Sequence, residues 1–148
     1  MLLNIGNIHF CHPHNSPHIH ILYILHMDDP HLMKQNIDFH YNQILVRSGK
    51  GGKDRYTILP NSIKKPLQDH IQKVQKLHKK DLKEGYGNVN LPNAIQKKYP
   101  NAAKEWVWQY VFPANSFSTN PRTGEIMRYH IGRWIIQNAV RDAKNRVK

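Results

Sequence analysis

Arginine is absent from the first 46 residues, and cysteine occurs once, as Cys11, in the whole 148-residue chain. A single thiol excludes an internal disulfide framework and fits a reducing cytoplasm. No apolar run is long enough to span a bilayer, and the basic residues are spread too widely for a helix lying on a membrane. The opening MLLNIGNIHF has neither a basic n-region nor a clean apolar h-region, so no secretory leader is read. Acids are scarce as well. Ten Asp+Glu face 22 Lys+Arg, for a net charge of +12, which favours a polyanionic partner with nucleic acid first.

The charge is unevenly placed. Residues 1–35 hold one lysine (Lys34) and two acids (Asp28, Asp29), so the net of +13 belongs to residues 36–148. Histidine runs the other way: seven of the eleven fall in the first 35 residues. The chain therefore divides into a His-rich N-terminal segment, residues 1–35, and a basic domain, residues 36–148. HFCHPHNSPHIH is broken by Pro13 and Pro17 and reads as irregular. Cys11, His12, His14, His18 and His20 carry zinc-type donors, but their spacing matches no closed tetrahedral motif, so no metal site is assigned.

Past the seam the patterns become orderly. Residues 43–47 and 55–59 read as two strands joined by the glycine turn of VRSGKGGKDR, a hairpin with a loop longer than two residues. A helix is expected from Asn61 or Ser62, with Ile63, Leu67, Ile71, Val74 and Leu77 forming one apolar stripe. Pro66 argues for a start two or three residues later. Gly85 and Gly87 end the helix. A short helix is expected between Pro92 and Pro100, and a strand over the aromatic run Trp106–Phe112. A turn at Asn120–Gly124 leads into a strand at residues 125–130. A last helix over residues 133–147 buries Trp134, Ile135 and Ala139. The order implies an α+β fold, an antiparallel hairpin and sheet packed with α-helices.

The glycine turn admits three uses. A phosphate-cradling loop needs G-x-x-x-x-G-K-[ST] ahead of a helix; here Asp54 follows Lys53, Arg47 replaces the first glycine, and a strand comes next. That use is excluded. A solubilising surface loop is one remaining use. The other is an ammonium, from Lys50 or Lys53, brought to a nucleic-acid backbone or to a leaving oxyanion.

NIDFHYNQILVRSGKGGKDRYTILP resembles the hairpin segment of tyrosine recombinases of the phage-integrase family. LHKKDLKEGYGNVNLP, KKYPNAAKEWVWQYVFP and STNPRTGEIMRYHI look like the integron integrases, a subgroup with an added insertion, here near residues 86–113. The resemblance covers residues 36–143 and implies a partial catalytic domain of a cofactor-free DNA strand-exchange enzyme, one that integrates gene cassettes. It implies Lys50 as the general acid that protonates the departing 5′-hydroxyl, with Lys53 and Arg55 as DNA contacts. It also implies that Trp106, Trp108 and Tyr110 stack on bases extruded from a folded single-stranded cassette site, duplex DNA being the other partner. Val107 stands where a glycine is expected between the two tryptophans.

The family's first catalytic arginine would fall at Leu25, and the shift in composition there suggests a frameshift or an alternative start. The His-x-x-Arg box and the tyrosine nucleophile are not found before Lys148. His130-Ile-Gly-Arg133 fits H-x-x-R literally but lacks the flanking residues of the box, and Tyr129 is likewise a poor nucleophile candidate. The sequence thus reads as a truncated, inactive, DNA-binding fragment with apolar faces left uncovered, the Ile63–Leu77 stripe among them. Two alternatives are a His-rich metal-binding module and a noncatalytic protein docking on full-length integrase subunits.

Overall fold

In a computed structural model, residues 31–47 and 51–132 are described, with the backbone of residues 3–5 and 8–10 and with Trp134, Asn138 and Arg141. Leu3–Ile5 (β1) and Ile8–Phe10 (β2) pair antiparallel as a two-stranded ribbon. Of the stretch expected to be irregular, residues 9–20, His9 and Phe10 are in this ribbon instead, and the rest lies outside the described residues.

Ile37–Asp38 (β3), Gln43–Val46 (β4) and Arg55–Ile58 (β5) form an antiparallel sheet in the order β3-β4-β5. The first turn is built locally: the Asp38 carboxylate accepts from the backbone N–H of His40 at 2.8 Å and of Tyr41 at 2.9 Å. Strand alternation then sorts the faces. Ile44 and Val46 turn inward and are buried, while their neighbours Gln43 and Leu45 face out, opposite Ile58 and Tyr56.

Asn61–Lys83 (α1) lies across the inner face. It starts at Asn61, one of the two expected starts, with Pro60 as its cap and no side-chain capping bond. Pro66 sits inside the helix and forfeits one backbone bond, but it does not delay the start, because the apolar stripe on both sides of it is anchored. Ile63, Leu67 and Ile71 pack with Leu32, Ile37, Ile44, Leu59, Val111, Phe112 and Ile131. The stripe is therefore covered, not bare as expected. The helix ends in a Schellman motif, with Tyr86 N–H on the Asp81 carbonyl at 2.8 Å and Gly85 N–H on that of Leu82 at 3.2 Å.

After α1, Asn93–Lys98 (α2) is the expected short helix. Val89, Leu91, Ala102 and Tyr110 form a second, smaller core with Met33, Ile95 and Trp108 packed against it. The aromatic run is not a strand. Trp106–Trp108 is a 3-10 turn, and Tyr110 and Pro113 make single bridges to Met33 and His130. Propensity yields here to tertiary anchoring: backbone bonds from Lys34 to Gln109 and from Val111 to Leu32, both 2.9 Å, hold the run against residues 32–34. Ser118–Thr119 (β6) and Ile126–Met127 (β7) flank the predicted turn, where Gly124 N–H reaches the Asn120 carbonyl at 2.8 Å.

Trp134, Asn138 and Arg141 are helical, as the last predicted helix requires, but Trp134 is 66% exposed and does not enter the core. Its indole lies over Gly132, where a Cβ would stand 2.8 Å from Nε1. Ile135 and Ala139 lie outside the described residues. Helices and antiparallel sheets together give the α+β class.

Candidate nucleic-acid interface

The tip of the β4–β5 hairpin is held open by sequence and geometry together. The ladder ends at Val46 opposite Arg55, and the next cross-strand pair, Arg47 and Asp54, is an ion pair at 3.6 Å on half-exposed side chains. Gly51 and Gly52 carry φ of +82° and +73°, with nothing within 4 Å of where a Cβ would stand. They turn the chain in a conformation other residues resist. Lys53, Asp54 and Arg55 are all exposed. Lys50, the expected general acid, lies outside the described residues. A strand follows the tip, so no helix N-terminus faces it, in agreement with the excluded nucleotide loop.

The aromatic candidates occupy unlike places. Trp106 is half-buried against the main core and Trp108 against the smaller one, while Tyr110 is only 6% exposed. Val107 between the tryptophans is 44% exposed. The segment that carries them is tied down by residues that the sequence did not single out. Gln109 Nε2 donates toward three carbonyls, those of Ala103 (3.0 Å), Glu105 (3.1 Å) and Gly87 (3.3 Å). His70 and His78 stand among the buried residues of α1 and reach the segment through Nε2, to the Val111 carbonyl at 2.7 Å and the Lys104 carbonyl at 2.9 Å. Burial pushes the His78 imidazole below its usual value, against the opposing pull of the Lys104 carbonyl and the Asp81 carboxylate.

Arg128 joins the same framework from the residue after β7. Its Nε and Nη2 meet Asp81, its Nη1 donates to the carbonyls of Ala114 and Asn115, and its guanidinium lies 4.4 Å over the Phe117 ring. The signal in sequence was Asp81, an acid in register with the buried face of a lysine-rich helix.

Apart from these supports, a cavity of about 620 Å³ is bordered by His31, Tyr110, Asn120, Arg122, Tyr129 and His130. Its volume falls within the roughly 300–1,000 Å³ of small-ligand sites. His130 packs edge-on against Tyr110 with centroids 5.3 Å apart, and its Nδ1–H donates to the Ile131 carbonyl at 2.8 Å. Nε2 is then the acceptor of the neutral ring. Arg133, the other half of the literal H-x-x-R, lies outside the described residues, as do Cys11, His12, His14, His18 and His20. Among the described residues no cluster of three His, Cys, Asp or Glu could hold a metal, and no helix is long and apolar enough to cross a membrane.

No family model matches the chain. Over 112 residues, 76% of its length, the chain is 38% identical to a protein named integrase/recombinase from Escherichia coli. It shows the same identity over the same length with one of that name from Pseudomonas aeruginosa. The aligned part is 33% of each, so the chain spans about a third of the length of the curated relatives it matches. The similarity supports the recombinase family.

Proposed function

We propose that this chain binds DNA as part of the catalytic domain of an integron integrase, a site-specific recombinase of gene cassettes in the bacterial cytoplasm. The observation that carries the reading is the 38% identity over 76% of the chain, shared with two integrase/recombinase proteins. The +12 net charge supports a polyanionic partner, and the exposed hairpin tip supports a close approach to its backbone. In this reading Lys50 is the general acid toward the departing 5′-hydroxyl, and Lys53 and Arg55 contact phosphates. Residues 86–113 are the inserted segment, with Trp106, Trp108 and Tyr110 forming or backing the surface for extruded bases. The cavity beside Tyr110 supports a single unpaired base as the thing recognised.

By themselves these 148 residues supply neither the phosphate-binding arginines nor the tyrosine nucleophile of the family's pattern. The polypeptide alone then binds without strand transfer, since a lysine acid cannot replace the electrostatic clamp or the covalent step. The test measures its affinity for a hairpin oligonucleotide with extruded bases and for the fully paired duplex. The hairpin should be preferred, and the preference should fall in Trp106→Ala and Trp108→Ala by roughly 1–3 kcal/mol for each base that no longer stacks. Equal affinity for both DNAs would leave only nonspecific charge, and a covalent adduct with a nicked site would refute inactivity.

One observation favours a protein contact beside the DNA. Tyr56 and Ile58, next to each other on the outer sheet face, are 70% and 76% exposed. Full-length integrase subunits are the proposed partner, tested by co-purification with the wild-type chain and with Tyr56→Ser/Ile58→Ser.

A further inference from the structure

We infer that His31, from the His-rich segment outside the resemblance, is a base-contacting and specificity-determining residue of the cavity shared with Tyr110 and His130. The inference rests on the extruded-base reading of that cavity and adds a residue that no matching motif supplies.

Its position is fixed by backbone, not by chance packing. The Leu32 carbonyl accepts from Val111 N–H and Lys34 N–H donates to the Gln109 carbonyl, each at 2.9 Å, while Met33 bridges Tyr110. Leu32 is 2% exposed in the main core, which pins the residue next to His31. The ladder delivers the exposed His31 ring to the cavity wall. There it stands edge-on to His130 at 4.3 Å and 74°, and tilted to Tyr110 at 6.4 Å. Three rings thus converge on one side of the space.

The remaining lining suits a nucleotide. Arg122 offers a planar cation for phosphate, and Glu125, the acid among the described lining residues, offers an acceptor for exocyclic amino groups. Aromatic rings stack on the π-face of any base, and an imidazole adds a polar atom at its edge.

The test titrates the full 148-residue chain with thymidine 5′-monophosphate, deoxyguanosine 5′-monophosphate and inorganic phosphate, following imidazole C–H resonances by NMR. The His31 signals are assigned by their loss in His31→Ala. We expect the His31 and His130 signals to move together and saturably with a nucleotide, and little with phosphate. Nucleotide affinity should fall roughly five-fold or more in His31→Ala, the lower end of one base–aromatic stacking interaction, and less in His31→Phe. Movement of His130 alone, unchanged affinity in His31→Ala, or equal movement with phosphate would overturn the role of His31 and leave the cavity standing. Silence of both rings would remove both. Nucleotide binding through His31 without hairpin preference would sink the cassette-site reading and leave His31 in place. If His31→Ala fails to fold, loss of the signals in His31→Phe supplies the assignment and the wild-type titration decides.

Discussion

Arg128 meets Asp81 through two parallel N–H···O bonds, 2.8 Å from Nε to Oδ2 and 3.0 Å from Nη2 to Oδ1, across 47 residues of chain. The side chains are 13% and 5% exposed, so the pair is largely out of water. It fastens the C-terminal end of α1 to the strand leading into Tyr129 and His130, and through Ala114 and Asn115 it also holds the loop after the aromatic run.

Removing one partner leaves a buried, uncompensated charge. Arg128→Ala or Asp81→Ala should each cost about 3–5 kcal/mol, read as a shifted denaturant midpoint. The double variant Asp81→Leu/Arg128→Met should be less destabilised than either. If it is worse than both, the pair contributes more than mutual neutralisation.

Gln109→Leu removes a donor shared by three carbonyls; those of Ala103 and Glu105 keep the backbone N–H groups of Val89 and Trp108, so the buried contact to the Gly87 carbonyl is the main loss. We expect a destabilisation of roughly 1–3 kcal/mol. Hydrogen exchange should quicken first in residues 86–113, while β4 and β5 amides stay protected. Uniform quickening would mean that the segment does not open separately.

Gly87 combines φ of +104° with a position where a Cβ would lie 2.7 Å from Leu82 Cδ2 and 3.3 Å from His78 Cε1. Gly87→Ala should therefore destabilise by about 1 kcal/mol or more through backbone strain and the displaced neighbours. Gly51→Ala faces open space and carries only the backbone strain. Thermal unfolding of the two variants separates these contributions.

His78 sets a pH dependence whose sign follows from its burial. Its pKa in the folded chain is below the usual 6.5, so on acidification the unfolded chain takes up the proton first. Stability from this group is complete above pH 6.5 and is lost as pH falls below it. Replacing His78 with Asn should flatten the slope of unfolding free energy against pH on the acid side. An unchanged slope would assign the dependence to other groups.

At the hairpin tip, Lys50→Ala, Lys53→Ala and Arg55→Ala should each weaken binding to any duplex. Each side chain that neutralises a phosphate should, on removal, lower the slope of log affinity against log salt by about 0.9. A substitution that leaves the slope untouched marks a side chain that does not meet the backbone.

Much of the fold was readable because it is local. The spacing of Ile63, Leu67 and Ile71 identifies α1 and its buried face, and alternation around the glycine turn identifies β4 and β5. The aromatic run misled because Trp, Val, Tyr and Phe fit a strand equally well. Only the bonds from Gln109 and the backbone of residues 32–34 bend it into a turn and single bridges. Trp134 misled likewise, since a helical position is silent about whether a glycine nearby lets the indole lie outside.

The sequence by itself determined the charge, the glycine-turned hairpin, the long amphipathic helix and the similarity to recombinases, all written in composition, short periods and contiguous motifs. Tertiary structure alone decided which polar groups meet. His70 and His78 on the segment carbonyls, Asp81 on Arg128, and His31 beside His130 join residues 26 to 99 positions apart. No spacing encodes such meetings, because each depends on where two independently specified elements come to pack.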